Sequence, residues 1–350
     1  MFEKVSPAHP DKLADRLSGA IVDLAYERSE GGFLHGNPRI AVEVLAGHGR
    51  VDVQIETSLG RMDLRAEDID PLIHRLFGER VVGNVLIAPQ DAHLSDNQTR
   101  GLRSKTFESP DGTGDGVSQG QRVMRCGDNG IFRGVPPTHE QKLLTALAAT
   151  MWERFGYDGK YLIRTIFERN MNKPVFKERG NYALTICQSH AEEREIRKCL
   201  MEFWEKNWPT DYGAYLEGYP NPGPLYGATI NPLGPWTGGI DVDCGCTNRK
   251  LGSDMGEGLT GGGLHGKDLS KGDVSINIVA FLKAVASGQV VTAMCSIGDE
   301  SVTFQYADGK TETETFADIV EMARLYILTD CGGSFERFAE WGLVRPLAQE

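Results

Sequence analysis

The sequence predicts an α+β chain, and three observations carry that expectation. Residue patterns with helical and strand periods alternate in short blocks, some strand pairs lie close enough to form hairpins, and three blocks of similar content follow one another without any repeat in the letters themselves. Short blocks with hairpins favour segregated sheets and helices over one doubly wound parallel sheet. At 350 residues the chain has length for about two or three cored domains.

Residues 10–28 read as a helix. Leu13, Leu17, Ala20, Ile21, Leu24 and Ala25 recur at three and four, and Pro10 suits a first turn, where its missing N–H leaves no bond unmade. Ile40, Val42, Val44 and Val51, Val53, Ile55 alternate on either side of Ala46-Gly47-His48-Gly49, a strand, a glycine turn and a strand. A short helix at 67–77 and an apolar strand at 81–87 complete the first block. Residues 89–121 are polar, glycine-rich and poor in aliphatic pattern, which reads as a lid or a linker. After Pro136-Pro137, Thr138 and Gln141 form a capping box for a helix to about residue 155. A strand at 181–187 and an amphipathic helix at 191–206 follow, then a Pro/Tyr/Gly-rich loop at 209–226 that marks a boundary. The last third holds a glycine-rich stretch at 234–266, a helix at 273–286, paired strands at 289–296 and 301–307, and a closing helix at 315–327. The expected organisation is an N-terminal domain over 1–95, a flexible lid or linker over 96–122, a central domain over 123–225 and a C-terminal domain over 226–350, with interleaving in space left open.

A net charge of −12 argues against a non-specific nucleic-acid binder or a binder of anionic membranes, whose footprint is basic. No run of about 18 apolar residues is present, and the N-terminus lacks the apolar core of a signal peptide. Seven cysteines, an odd count without a C-x-x-C, read as reduced thiols. The expected location is therefore the cytoplasm. Cys244-x-Cys246 lacks the second pair that a zinc site needs. Glycine is the unusual number, with 42 residues against a typical share of about 7%, and seven of them fall between Arg249 and Lys271.

His9-Pro10-Asp11-Lys12 sits at the front of the first helix, where free N–H groups and the dipole favour an anion and Lys12 adds a charge. Asp11 offers a magnesium ligand there, and His9 can act on an oxygen of a bound group. On four residues alone, an ordinary helix start is the simpler reading. The stretch 243–275 places Arg249, Lys250, Lys267 and Lys271 among glycines, with Asp243, Asp268 and Asp273 interleaved. Glycine lets backbone amides approach a phosphate, several cations neutralise a polyphosphate, and magnesium shares phosphate oxygens with one or two carboxylates. No G-x-x-x-x-G-K-[ST] is present, and a glycine-rich surface loop with solvated lysines is the plain alternative. Cys126-Gly127-Asp128-Asn129-Gly130 and Asp158-Gly159-Lys160 are turn sequences when taken alone.

In order, however, AHPDK (8–12), RCGDNG (125–130), DGK (158–160), VDCGCTNRK (242–250), GGGLHGKDLSKGDVS (261–275) and the ending GGSFERFAEWGLVRP (332–346) resemble the motifs of the S-adenosylmethionine synthetase (methionine adenosyltransferase) family over nearly the whole chain. The resemblance implies an α+β fold of three similar sheet-plus-helix domains in a pseudo-threefold arrangement. It implies a homodimer or a dimer of dimers with active sites at the interface. The implied reaction joins ATP and L-methionine and hydrolyses the displaced triphosphate to pyrophosphate and phosphate, with two Mg²⁺ per site and K⁺ as cofactors. It places His9 at the leaving oxygen, Lys12, Lys160, Arg249, Lys250 and Lys267 at the phosphates, Asp11 and Asp273 on magnesium, and Glu43 on potassium. Asp128 and Asp243 would orient nucleotide and methionine, Asp158 the adenosine, and Lys271, Gln54 and Gln90 the methionine, with 89–121 as lid.

The chain departs from the family pattern at several positions. Ala8 and Asn248 replace glycines, Asn129 a glutamine and Cys246 a leucine; Gly272 and Val274 flank Asp273 in place of valine and arginine. The spacing from GGG to GKD is one residue short, and the middle region is shortened. Gln54 stands where the family has a glutamate for the methionine amino group, with Glu56 two residues on. The phosphate-handling residues are better kept than the methionine site, so alternatives are a different sulfur acceptor, mainly triphosphatase action, or a catalytically weak regulatory subunit.

Overall fold

The computed structural model describes residues 1–60, 63–91, 125–166, 181–207 and 228–346. The lid expected over 96–122 and the loop at 209–226 lie outside them. The helix expected at 10–28 is α1 (Pro10–Arg28), started by His9, whose ring nitrogen accepts from the Asp11 N–H. It leads, past a single helical turn α2 (Gly32–His35), into the hairpin β2 (Ile40–Gly47) and β3 (Arg50–Thr57), then α3 (Ala66–Phe77) and β4 (Val82–Pro89). The hairpin turn is His48-Gly49, with φ of 51° and 79°. Two consecutive positive φ values match the right-handed twist of the strands they join.

The second block is α4 (His139–Phe155), β6 (Gly159–Ile166), β7 (Asn181–Gln188), α5 (Glu193–Asn207) and β8 (Ala228–Ile230). Thr138 and Gln141 close the capping box as expected. The third is α7 (Gly272–Ser287), β10 (Val291–Cys295), β11 (Ser301–Tyr306), β12 (Thr311–Thr315) and α8 (Phe316–Cys331). A single-turn helix α6 (Leu251–Met255) precedes it and α9 (Phe335–Trp341) follows it.

Each block is a helix, a hairpin and a second helix, and each contributes three strands to a four-stranded sheet. The fourth strand comes from elsewhere. β1 (Phe2–Val5), which precedes α1, pairs antiparallel with β6 of the second block. β5 (Gly130–Gly134), which precedes α4, pairs with β10 of the third. β9 (Gly245–Cys246), upstream of α7, pairs with β2 of the first. The resulting orders are β4-β3-β2-β9, β1-β6-β7-β8 and β12-β11-β10-β5. The exchange is cyclic: each block lends an edge strand to another and receives one from the remaining block. The segments 1–95, 123–225 and 226–350 thus each hold one helix–hairpin–helix unit, while edge strands cross between them. Two sheets end on a parallel strand, β4 on β3 and β8 on β7, whereas the third is antiparallel throughout.

Alternation decides which face is buried. Val42, Val44, Val53 and Ile55 point inward under α1 and α3, while Glu43, Leu45, Gln54 and Glu56 line the outer face. The first and third sheets share one apolar core that includes Leu17, Ile21, Phe132, Ile278, Phe304 and Phe316. The second sheet has its own core, with Leu147, Met151, Tyr161, Ile186 and Phe203. Gly134 is required by packing, since a Cβ there would lie 2.1 Å from the Ala280 carbonyl oxygen of α7. Among the described residues no helix is long and apolar enough to cross a membrane.

One expectation is overturned here. Lys12 does not face a phosphate site. It is 1% exposed, and its ammonium lies 3.2 Å from Asp15 and 2.8 and 2.9 Å from the two carboxylate oxygens of Asp254. His265 Nε2 lies 3.0 Å from Asp254 Oδ2. Helical spacing explains the change: Lys12 and Asp15 are three residues apart on one face of α1, whereas Asp11, also buried, points to the backbone of Cys246. Lys4 lies beside this group. Its ammonium donates to the carbonyls of Ser253, Trp341 and Val344 at 2.7–2.8 Å, which fastens β1 to α6 and to the segment after α9. Burial, partly offset by Asp254, brings Lys4 down to about 7, whereas Lys12 holds the Asp254 carboxyl well below its ordinary value in spite of burial.

Removing one partner of a buried ion pair costs about 3–5 kcal/mol. Lys12→Met should therefore lower the unfolding midpoint strongly at pH 8. Without the ammonium, the folded-state pKa of the Asp15–Asp254 pair rises above the unfolded one, so the penalty is present above that pKa and shrinks as pH falls toward 5. Thermal unfolding at both pH values measures this; an equal penalty at pH 5 and pH 8 would contradict it.

Candidate functional site

The lent strands deliver the candidate residues. β1 runs into the start of α1 with His9 and Asp11, Asp128 lies two residues before β5, and Arg249 and Lys250 follow β9. Lys160 is the second residue of β6, so the Asp158-Gly159-Lys160 turn expected from those letters alone is a strand start. Gly159 is needed there because a Cβ would lie 2.1 Å from the Tyr161 hydroxyl.

A first group gathers His9, Asp11, Lys160, Arg249 and Lys250 around Glu3, a residue that the sequence reading passed over. The Glu3 carboxylate bridges Lys160 at 3.0 Å and Lys250 at 3.2 Å. Burial alone would raise its pKa, but the two lysines outweigh it and hold the carboxyl below its usual value. Asp11 Oδ1 accepts from the Cys246 N–H at 2.9 Å, with Arg249 at 3.5 Å and Lys250 at 3.8 Å from its oxygens. Burial still pushes the Asp11 pKa up.

His9 is 5% exposed, and burial together with the surrounding cations Lys250, Lys160, Lys12 and Arg249 brings it down to about 3. It is a neutral imidazole at physiological pH. Because Nδ1 accepts from the Asp11 N–H at 3.2 Å, the proton sits on Nε2, which makes His9 a hydrogen-bond donor rather than a base.

Asp158 borders this group. Its Oδ2 accepts from the Gly239 N–H at 2.8 Å, and Oδ1 is buried with no partner among the described residues. Burial is the main cause that lifts it to about 6, with Asp243 and Asp11 adding repulsion. Asp243 is exposed, and its Oδ1 accepts from the Cys244 N–H at 2.7 Å.

A second group gathers Asp128, Lys267, Lys271 and Asp273 at the start of α7. Lys267 hydrogen-bonds Asp273, which also accepts from the Gly263 N–H at 3.2 Å. Lys271 is the N-cap of α7 and is buried. Burial, then the charge of Asp273, raises the Asp128 pKa, and its Oδ2 is buried without a partner among the described residues. Glu43 faces Lys267 from the outer side of β2, opposite Gln54 in the register, with Leu86 on the far side of Gln54. Gln90 follows β4, its N–H bonded to Thr57 at 3.0 Å.

The first group thus brings together His9, Asp11, Lys160, Arg249 and Lys250 with Asp158 beside them, and the second Asp128, Lys267, Lys271 and Asp273 with Glu43 facing Lys267; Gln54 lies opposite Glu43 in the register, while Gln90 lies past the end of β4. Asp11 in the first group and Asp273 with Asp128 in the second are oxygen donors of the kind a hard divalent cation takes, although among the described residues the three do not converge on one point. Asp11 lies beside Arg249 and Lys250, Asp273 beside Lys267, and the Asp128 Oδ2 is buried without a partner among the described residues. The His–carboxylate cluster Asp15–Asp254–His265 already encloses the Lys12 ammonium.

The sequence reading missed Glu3, Asp15, Asp254 and His265. For Glu3 a signal existed, since the alternation of Phe2-Glu3-Lys4-Val5 sets it on the opposite face from Lys4. For the other three, only the fold brings the residues together.

No family model matches the chain. It aligns over 330 residues with an S-adenosylmethionine synthase of Nocardioides sp. at 27% identity, covering 89% of this chain and 78% of that one. A Salinibacter ruber protein of the same name is 28% identical over 339 residues, with 89% and 78% covered. One from Helicobacter pylori is 25% identical over 333 residues, with 89% and 77% covered. The fold is shared with an unusual S-adenosylmethionine synthetase from Campylobacter jejuni, with a TM-score of 0.59 and 17% identity over 99% of this chain and 91% of that chain. The chain is thus similar along most of its length to synthases of a single name, on a fold shared with another over nearly all of it.

Proposed function

We propose that the chain is an ATP:L-methionine adenosyltransferase that makes S-adenosylmethionine and hydrolyses the displaced triphosphate to pyrophosphate and phosphate. The observation that carries this reading is the set of cations, Lys160, Arg249, Lys250 and Lys267, each held within 4 Å of a carboxylate of Glu3, Asp11 or Asp273 beside a neutral histidine. Such an arrangement suits a large leaving anion and offers no base.

No base is needed. A sulfur lone pair of methionine attacks C5′ of ATP, the C5′–O bond breaks, its electrons leave with the triphosphate, and no proton moves. Catalysis then consists of holding an in-line geometry and stabilising the charge that develops on the leaving oxygen. His9 donates through Nε2–H to that oxygen without itself being charged. Lys160, Arg249, Lys250 and Lys267 take the phosphate oxygens. Asp158 and Asp128 bind the nucleoside side through their unpartnered oxygens. Asp11 and Asp273 would hold two Mg²⁺, which when bound supply hard-cation neutralisation of the phosphates, and Glu43 would face K⁺.

Methionine would lie against Gln54, Gln90, Asp243 and Lys271. A second copy of the chain fits the exposed apolar side chains on the outer sheet faces, Leu45 and Leu86 on one and Ile131 and Met294 on another, which supports a homodimer or a dimer of dimers. Seven free thiols support a cytoplasmic setting.

Purified protein given ATP, Mg²⁺, K⁺ and L-methionine should form S-adenosylmethionine, with pyrophosphate and phosphate, as read by chromatography and phosphate release. Phosphate release independent of methionine, with no sulfonium product, would overturn the reading in favour of a triphosphatase.

The pH dependence has a stated sign. A carboxylate raised to about 6 is ionised and accepting above that pH, so KM for ATP should climb as pH falls from 7 to 5, and Asp158→Asn should remove this slope. The His9 ring should show no titration between pH 5 and 8 by NMR.

Gln54 favours one further possibility, a sulfur acceptor without the α-ammonium group. If methionine is the acceptor and meets residue 54, Gln54→Glu should lower its KM by about tenfold, the scale of one hydrogen bond to a charged group, with kcat little changed. An unaltered KM would place the amino group elsewhere.

A further inference from the structure

We propose that Asn248 is a positioning residue that sets the separation of the two cation-bearing loops, Arg249–Lys250 on one and Lys267–Lys271 on the other. The proposal rests on the polyphosphate reading given above.

Asn248 is bonded in three directions. Its backbone N–H donates to Asp15 Oδ1 at 2.7 Å, which ties it to the buried Lys12 cluster. Its side-chain Oδ1 accepts from two consecutive backbone N–H groups, those of Leu264 and His265, at 2.8 and 2.9 Å. Its Nδ2 donates to the His265 carbonyl at 3.3 Å. A side-chain amide offers two donors and two lone pairs, so both lone pairs and one donor are committed to the loop that carries Lys267. That loop is pinned a second time where the His265 ring meets Asp254, and a third time where the Gly266 carbonyl accepts from Val42 of β2 at 2.7 Å.

Two features show that the clamp is built in. Asn248 sits at φ +62°, a conformation that asparagine tolerates better than other residues with side chains and that glycine adopts freely. Gly263 packs against the amide so closely that a Cβ there would lie 2.4 Å from Asn248 Nδ2. The chain departs from the family pattern at these same places: asparagine replaces glycine before Arg-Lys, and the GGG-to-GKD loop is one residue shorter. The structure joins the two departures into one. In the shortened loop two successive N–H groups fall within reach of residue 248, and the asparagine amide caps both. A glycine at 248 would serve the backbone angle equally well and leave the clamp unmade. The clamp, not the φ angle, is therefore what the asparagine adds.

The test uses the full-length protein with Mg²⁺ and inorganic tripolyphosphate as the probe, with binding followed by calorimetry. Asn248→Gly keeps the backbone conformation and, measured well below its thermal midpoint, should weaken tripolyphosphate binding by about tenfold or more, the scale expected when loop hydrogen bonds are lost. Asn248→Asp keeps acceptors for both N–H groups, and at an ionic strength that screens its added charge it should lose clearly less affinity than Asn248→Gly. Wild-type affinity in Asn248→Gly, or an equal loss in both variants, would overturn the proposal while leaving the polyphosphate reading in place. Failure of the unaltered protein to bind tripolyphosphate would overturn that reading, and the proposal with it.

Discussion

The structure depends on the ammonium of Lys12. It is enclosed with Asp15, Asp254 and His265, and each of these residues belongs to a different piece of the site's support. Asp15 holds the backbone of Asn248, and so the loop of Arg249 and Lys250. His265 lies two residues before Lys267. The backbone carbonyl of Asp254 accepts from Leu343 and Val344 of the final segment. A buried charge carries a large desolvation penalty and persists only where its partners sit close and are themselves hydrogen-bonded. That requirement makes the cluster a rigid joint where α1, α6 and the two cation loops meet. Lys4, which donates to three carbonyls, fastens β1 to the same joint.

The cyclic loan of edge strands has a consequence for chemistry. A strand that leaves one block to complete another must return through a junction between sheets, and the junctions after β1 and β9 and before β5 carry His9, Asp11, Asp128, Arg249 and Lys250. No single helix–hairpin–helix unit holds this set. Charged groups that would repel one another if crowded on one loop are brought together only when all three blocks are assembled, so site formation is coupled to the packing of the whole chain.

Much of the fold was legible because its long elements carry unambiguous periods. The α1 stripe, the β2–β3 alternation and the Thr138–Gln141 box each lie where expected. The short elements were not legible, for identifiable reasons. β9 is two residues and β8 three, too few to show alternation. β12, with the sequence TETET, has no apolar residue at all, as an exposed edge strand can afford. The site was legible where the letters name a function, as with the glycines and cations of 249–271. It misled where they do not name a direction: Lys12 belongs to AHPDK by sequence, yet the rotation of α1 turns it inward. Glu3 was overlooked because its partners, Lys160 and Lys250, are over 150 residues away in the chain.

The local charge balance now has a physical meaning. The chain is acidic overall, yet four of the site cations are already answered by a carboxylate: Lys160 and Lys250 by Glu3, Arg249 by Asp11, and Lys267 by Asp273. In the absence of a polyanion these pairs hold the long side chains in place, which lowers the entropy lost on binding. On the proposed reading, a triphosphate carries more charge than any one carboxylate and reaches several cations at once, so it would compete for positions that are already formed. The carboxylates freed by that exchange would themselves repel the phosphates. The divalent cation of the proposed reading would resolve the conflict, because it shares oxygens from both sides. Burial raises the pKa of Asp11 and of Asp128 against the pull of the neighbouring cations, so ionising either carboxylate has a cost that a bound cation would offset. On that reading, the same residues that preorganise the cations would also hold the metal.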